Sequence, residues 1–154
     1  MLKSLELKVP PLIVVIAAGL AMWATARMLP GFSFQIRGSA WIALILAGLG
    51  IGIVVAGVTG FKIHRTTMNP LKPQAATTIV TTGIYRFTRN PMYLGIVLVL
   101  VGWTVYLANV AAAPWLIAFV AYMTKFQIEP EERALQALFG QEYAEYAAKV
   151  RRWL

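Results

Sequence analysis

The stretch Gly83-Ile84-Tyr85-Arg86-Phe87-Thr88-Arg89-Asn90-Pro91-Met92-Tyr93-Leu94-Gly95 decides how the chain is read. It is basic, aromatic and turn-rich, and it lies between apolar runs. Pro91 suits the first turn of a helix, where its missing N–H costs nothing. From there the chain is apolar for most of the next thirty-odd residues, until Glu129-Pro130-Glu131-Glu132-Arg133 closes the run. Two polar stretches bracketing an apolar hairpin predict a site at one face of a membrane.

The composition agrees. Of 154 residues, 59% are hydrophobic and 13% charged. Mean hydropathy is +0.68. A soluble domain keeps about a quarter of its residues charged. The pattern predicts an all-α integral membrane protein of about four transmembrane helices, at residues 9–29, 40–61, 91–107 and 114–128. The first run, about 20 residues long, is enough to cross a bilayer core and too long for a typical signal-peptide core. In the second run Gly48, Gly52, Ala56 and Gly60 recur every fourth residue, which predicts a small-residue face for close helix packing. Gly48-Leu49-Gly50-Ile51-Gly52 lies inside this run and lacks the strand and third glycine of a dinucleotide loop. The last two runs form a C-terminal helical hairpin. A cytoplasmic amphipathic helical segment follows at 129–154, with Leu135, Leu138, Phe139, Tyr143, Tyr146 and Val150 at helical spacing and a break expected near Gly140. Arg151-Arg152-Trp153 reads as an anchor at headgroup level. The whole of 1–154 reads as a single membrane domain.

Charge sets the orientation. The formal net charge is +8. Four spans put the amino terminus, the connection at 62–90 and the carboxyl tail on one side, with every Lys and Arg except Arg27 and Arg37. The positive-inside rule makes that side cytoplasmic. Asn69-Pro70 and Lys72-Pro73 favour an extended path through the connection, and Ile79-Val80 is expected to pack on the membrane surface. Basic residues that flank spans suit anionic headgroups or an anionic ligand and give no basis for nucleic acid. The chain has no cysteine, and its lone His64 has no partner at metal-ligand spacing, so no metal site is expected.

Arg89 at a helix start offers a two-pronged grip on a carboxylate or phosphate. Each such feature is also common at the edge of a span, and the acidic residues after Pro130 also suit a helix's first turn. Glu129 and Arg133 are spaced to pair across one turn. The ordered combination is more specific. Gly83-Ile84-Tyr85, Arg89-Asn90-Pro91-Met92-Tyr93-Leu94-Gly95, the hairpin, Glu131-Glu132-Arg133-Ala134-Leu135 and Phe139-Gly140-Gln141-Glu142-Tyr143-Ala144-Glu145-Tyr146, continued by Val150 and Arg152-Trp153, resemble the integral-membrane methyltransferase family of isoprenylcysteine carboxyl methyltransferase and its phospholipid N-methyltransferase relatives. The resemblance covers residues 66 to 154.

The resemblance implies an enzyme that moves a methyl group from S-adenosylmethionine, leaving S-adenosylhomocysteine, to a lipophilic or small-molecule acceptor at the cytoplasmic membrane face. Tyr85, Arg89, Asn90, Tyr93, Glu131 and Glu132 become the expected cofactor pocket, with Arg89 and Glu132 the expected catalytic pair and Glu132 the base for an amine acceptor. Asn90 stands where the family often has histidine, and Gln127 where isoprenylcysteine enzymes have arginine. Asparagine cannot titrate near neutrality, which speaks against proton transfer at Asn90, and the missing arginine at Gln127 leaves the acceptor open. The competing expectations are an NADPH-dependent membrane reductase of the sterol reductase type and a non-catalytic four-span lipid-binding or scaffold protein.

Overall fold

The computed structural model describes residues 6–67, 69 and 73–154, so Lys3, near the amino terminus, and Pro70 and Lys72 of the long connection lie outside the described residues. Among the described residues the secondary structure is helical, apart from one isolated bridge between Ser33 and Asn109. The helices are α1 (Pro11–Met28), α2 (Ser39–Ile63), α3 (Pro91–Leu107), α4 (Ala113–Met123) and α5 (Glu129–Lys149). Pro11, Pro91 and Pro114 occupy first-turn positions, where a missing donor is harmless.

The stretches at 11–28, 39–63 and 110–149 are long and apolar enough to cross a membrane. At 17 residues α3 is shorter, about 25 Å of helix. One correction concerns the last segment. Pro130 does not begin a separate helix, because α4 runs through a π-helical turn at Thr124–Ile128 straight into α5. The expected break at Gly140 is present, with φ 51° and ψ −120°, a conformation glycine adopts without a Cβ penalty.

The small residues of α2 also pack differently from the expected fourfold stripe. A Cβ on Gly48 or Gly52 would meet nothing within 4 Å. The contact face instead runs through Gly50 and Gly57, seven residues apart, because a helix of 3.6 residues per turn returns to one face after two turns. At Gly50 a Cβ would lie 2.5 Å from the Gly95 carbonyl oxygen, and one on Gly95 would collide with that of Gly50. The backbones of α2 and α3 touch there. Gly60 meets the Tyr85 ring, 3.1 Å from its would-be Cβ.

The buried core lies among α1, α3 and α4, built from Ala18, Met22, Tyr93, Leu100, Phe119 and Met123. Trp103 Nε1 donates to the Gly19 carbonyl at 3.1 Å, which ties α3 to α1. α2 packs chiefly on α3 and leaves an apolar groove between α1 and α2, lined by Gly19, Ala43, Gly102, Trp23 and Trp103 among others.

The connections gather at two ends. At one, Asn109 is buried and its side-chain amide donates to the Leu29 carbonyl and Ser33 Oγ, both at 2.9 Å, while its Oδ1 accepts from the Ala111 N–H at 3.0 Å. The other end collects the 62–90 connection, the start of the described chain and α5. Its connection is not extended throughout, since short 3-10 turns form at Pro73–Ala75 and Gly83–Arg86. Val80 is buried and, with Ile79, turns inward to line a cavity, which differs from the expected membrane-surface packing.

Candidate active site

The cavity at this second end has a volume of about 120 Å³. Tyr85, Arg89, Asn90, Tyr93, Glu131 and Glu132, the six residues expected at the site, all line it. Three parts of the chain bring them together. The turn at Gly83–Arg86 inserts Tyr85 against α2, where its hydroxyl donates to the Gly57 carbonyl at 3.3 Å and its ring meets Phe61 edge-on at 5.5 Å. The start of α3 supplies Tyr93, and the start of α5 supplies the two glutamates.

Arg89 and Glu132 meet as an ion pair, with Nη2 to Oε1 at 2.8 Å. A residue cast as a headgroup anchor completes this pair. Arg152 binds the same carboxylate through Nη2 to Oε2 at 2.6 Å and Nε to Oε1 at 3.1 Å. The 88–90 segment also clasps the carboxyl-terminal backbone. Arg89 Nη1 donates to the Ala147 carbonyl at 2.8 Å and the Val150 carbonyl at 3.3 Å, and the Arg89 N–H donates to the Arg151 carbonyl at 3.0 Å. Thr88 Oγ1 and Asn90 Nδ2 both donate to the Arg152 carbonyl, at 3.2 and 3.0 Å. Asn90 thus acts here as a neutral donor, which an amide can do at any pH. Tyr146 joins from α5, its hydroxyl donating to the Tyr85 carbonyl at 2.8 Å.

The two neighbouring glutamates have different surroundings. Glu132 holds two guanidinium groups. Glu131 touches neutral partners, because Tyr93 OH and Gln127 Nε2 each donate to its Oε1 at 2.6 Å. Its Oε2 accepts no hydrogen bond from the described residues. Burial pushes the Glu131 carboxyl up to about 7, against the opposing pull of those two donors. Burial also raises the phenols of Tyr85, Tyr143 and Tyr146, so all three stay protonated at neutral pH.

One polar atom in the cluster is left over. Arg89 Nε is buried and donates to nothing among the described residues. A buried N–H without an acceptor costs about 1–3 kcal/mol.

Outside the cavity, Glu129 does not pair with Arg133 as its spacing allowed. It pairs with Lys125 at 3.0 Å, and Arg133 pairs with Glu6. His64 is half-buried, with Nδ1 2.9 Å from the Gly60 carbonyl oxygen and Nε2 3.4 Å from Thr82 Oγ1. No metal-binding group of His, Asp and Glu occurs among the described residues. Sequence reasoning missed Arg152, Tyr143, Tyr146 and the Gln127–Glu131 contact. The spacing of Gln127 and Glu131, one helical turn apart, was the available signal for the last.

Residues 39–142 match the family model for phospholipid methyltransferase. The chain belongs to the phospholipid methyltransferase family. An uncharacterized protein of Haemophilus influenzae is 46% identical over 63 residues, which cover 41% of this chain and all of that protein. Protein-S-isoprenylcysteine O-methyltransferase B of Arabidopsis thaliana is 39% identical over 75 residues, 47% of this chain and 36% of the plant protein. A probable protein-S-isoprenylcysteine O-methyltransferase of Oryza sativa subsp. indica matches at the same identity over 38% of its length. The match therefore spans little more than a third of these plant relatives. No solved structure matches the chain. Membership of this family makes the chain a relative of membrane methyltransferases and excludes neither oxygen nor nitrogen acceptors.

Proposed function

We propose that this protein is a membrane methyltransferase that uses S-adenosylmethionine and methylates a lipophilic acceptor at the cytoplasmic face. The observation that carries this reading is the cavity itself. Among the described residues it combines an unsatisfied arginine N–H, a carboxylate with one open oxygen and four tyrosine rings. Those groups fit the donor's functional groups. The buried Arg89 Nε–H suits its carboxylate, Glu131 and Glu132 suit its ribose hydroxyls or amine, and aromatic faces favour a sulfonium. When bound, S-adenosylmethionine supplies an electrophilic methyl group on a positively charged sulfur.

The protein's own contribution is orientation and exclusion of water. Arg89 is fixed by Glu132 and by carbonyls of the carboxyl tail, so it presents its free N–H without a search through rotamers. A carboxylate acceptor needs no base. An amine acceptor must lose a proton, and we assign its acceptance to Glu131 and not to Glu132. Glu132 is engaged by two guanidiniums, whereas Glu131 has an open oxygen and a proton affinity near neutrality, where a general base works best. The concentration of Lys and Arg at this end supports a cytoplasmic site.

Calorimetric titration of the detergent-purified protein with S-adenosylhomocysteine tests the reading. Saturable binding, weakened at least tenfold by Arg89→Ala, is expected. A well-folded protein that ignores S-adenosylhomocysteine and binds NADPH would replace this reading with the reductase.

A further inference from the structure

The start of the described chain is joined to the turn that carries Gln127. Pro130 has no N–H, so the Phe126 carbonyl, four residues earlier, loses the donor an uninterrupted α-helix would give it. The π turn displaces the neighbouring bonds as well, with the Glu129 N–H reaching back to the Thr124 carbonyl. Such turns recur at functional sites and need support from outside the helix. Here the support is the Leu7 N–H, which donates to the Phe126 carbonyl at 3.0 Å.

Two further observations show that this contact is held in place. Leu7 has φ of 55°, a left-handed conformation that a leucine rarely adopts. Its neighbour Glu6 forms an ion pair with Arg133, one turn beyond Pro130. The segment is thus fastened on both sides of the proline, and Gln127 and Glu131 project from the same stretch.

We propose that Glu6 and Leu7 are positioning residues for the site: by closing the Phe126 carbonyl and holding Arg133, they keep the π turn in the form that aims Gln127 at Glu131. The inference rests on the cavity being the active site, but its test does not depend on turnover. Neither residue lines the cavity.

The test is infrared titration of the protonated Glu131 carbonyl band, identified by its loss in Glu131→Gln. The groups facing Glu131 are Tyr93 of α3, Tyr85 of the 83–86 turn, and Tyr143 and Glu132 of α5, with Arg89 and Arg152 beyond Glu132. The midpoint should lie near 7 in the wild type. Loosening the turn draws Gln127 away from Glu131, and because that donor pulls this carboxyl down, the midpoint should rise by about 0.5 unit or more in Glu6→Arg. The exchanged pair Glu6→Arg/Arg133→Glu should restore it. Leu7→Pro removes the N–H and should act like Glu6→Arg, whereas Leu7→Gly keeps the N–H, relieves the positive φ and should leave the midpoint unchanged. If Leu7→Pro fails to fold, the exchanged pair still decides. An unmoved midpoint in Glu6→Arg, or no recovery in the exchanged pair, overturns the proposal. Failure of S-adenosylhomocysteine to bind the wild type would instead overturn the methyltransferase reading and leave this result standing.

Discussion

The two ends of the bundle are closed by different kinds of bond. At the Asn109 end a neutral amide reaches across the loops, and both its oxygen and its nitrogen are engaged. At the cationic end the closure is ionic, and all ion pairs among the described residues lie there. Among the described residues that closure is also incomplete, with Arg89 Nε unpaired and one oxygen of Glu131 open. A knot that only holds helices together can satisfy every polar group. A site must keep some groups unsatisfied until a ligand arrives, and it pays for them in stability.

The sharpest way to break the contrast is Glu132→Ala. It strands two guanidiniums in a site where Arg89 is 14% exposed and Arg152 33%. Binding of S-adenosylhomocysteine should be lost, and unfolding free energy should fall by about 2 kcal/mol, a value reduced for the partial exposure of Arg152. Retained binding in a folded variant would show that the ionic closure has no part in the site.

Asn109→Ala is the matched test at the other end. It removes three hydrogen bonds from a buried amide, so unfolding free energy should drop by about 1–2 kcal/mol while affinity for S-adenosylhomocysteine stays within twofold. A change in affinity of tenfold would mean that the ends are coupled.

Glu131→Gln sharpens the comparison through pH. The Glu131 carboxyl is raised in the fold from 4.5 to about 7. Its protonated form therefore favours the folded state, fully so below about pH 4.5, and this contribution is lost as pH rises through 7. The amide cannot ionise, so the variant should melt several degrees above the wild type at pH 8 and at nearly the same temperature at pH 4. Equal melting at both pH values would show that Glu131 is an ordinary carboxylate. The smallest effect is expected for Lys125→Ala. Lys125 is 64% exposed, so the pair is screened by solvent, and neither melting temperature nor S-adenosylhomocysteine affinity should change measurably.

The sequence was informative where local rules and motifs decide. Apolar runs located α1 to α4 to within a few residues, Gly140 announced the break in α5, and the resemblance assembled the six cavity residues from two distant stretches. It was silent where distant backbones meet. Arg152 resembles any basic residue at a membrane edge until Glu132 is seen beside it. Proline after a polar break reads as a helix start, and only the Leu7 contact and the π turn show how a continuous helix accommodates Pro130. The division of labour between Glu131 and Glu132 is equally hidden, because adjacent positions on one helix point to different neighbours.

The groove between α1 and α2 has a consequence for handling the protein. Its lining sets Gly19, Ala43 and Gly102 beside Trp23 and Trp103, so in a bilayer acyl chains are expected to complete the packing there. Part of the protein's interior is thus supplied by its solvent. The choice of amphiphile then becomes a thermodynamic variable of the same standing as temperature: a rigid or bulky detergent tail leaves the groove poorly filled, whereas a slender, flexible chain acts as a replaceable piece of the core.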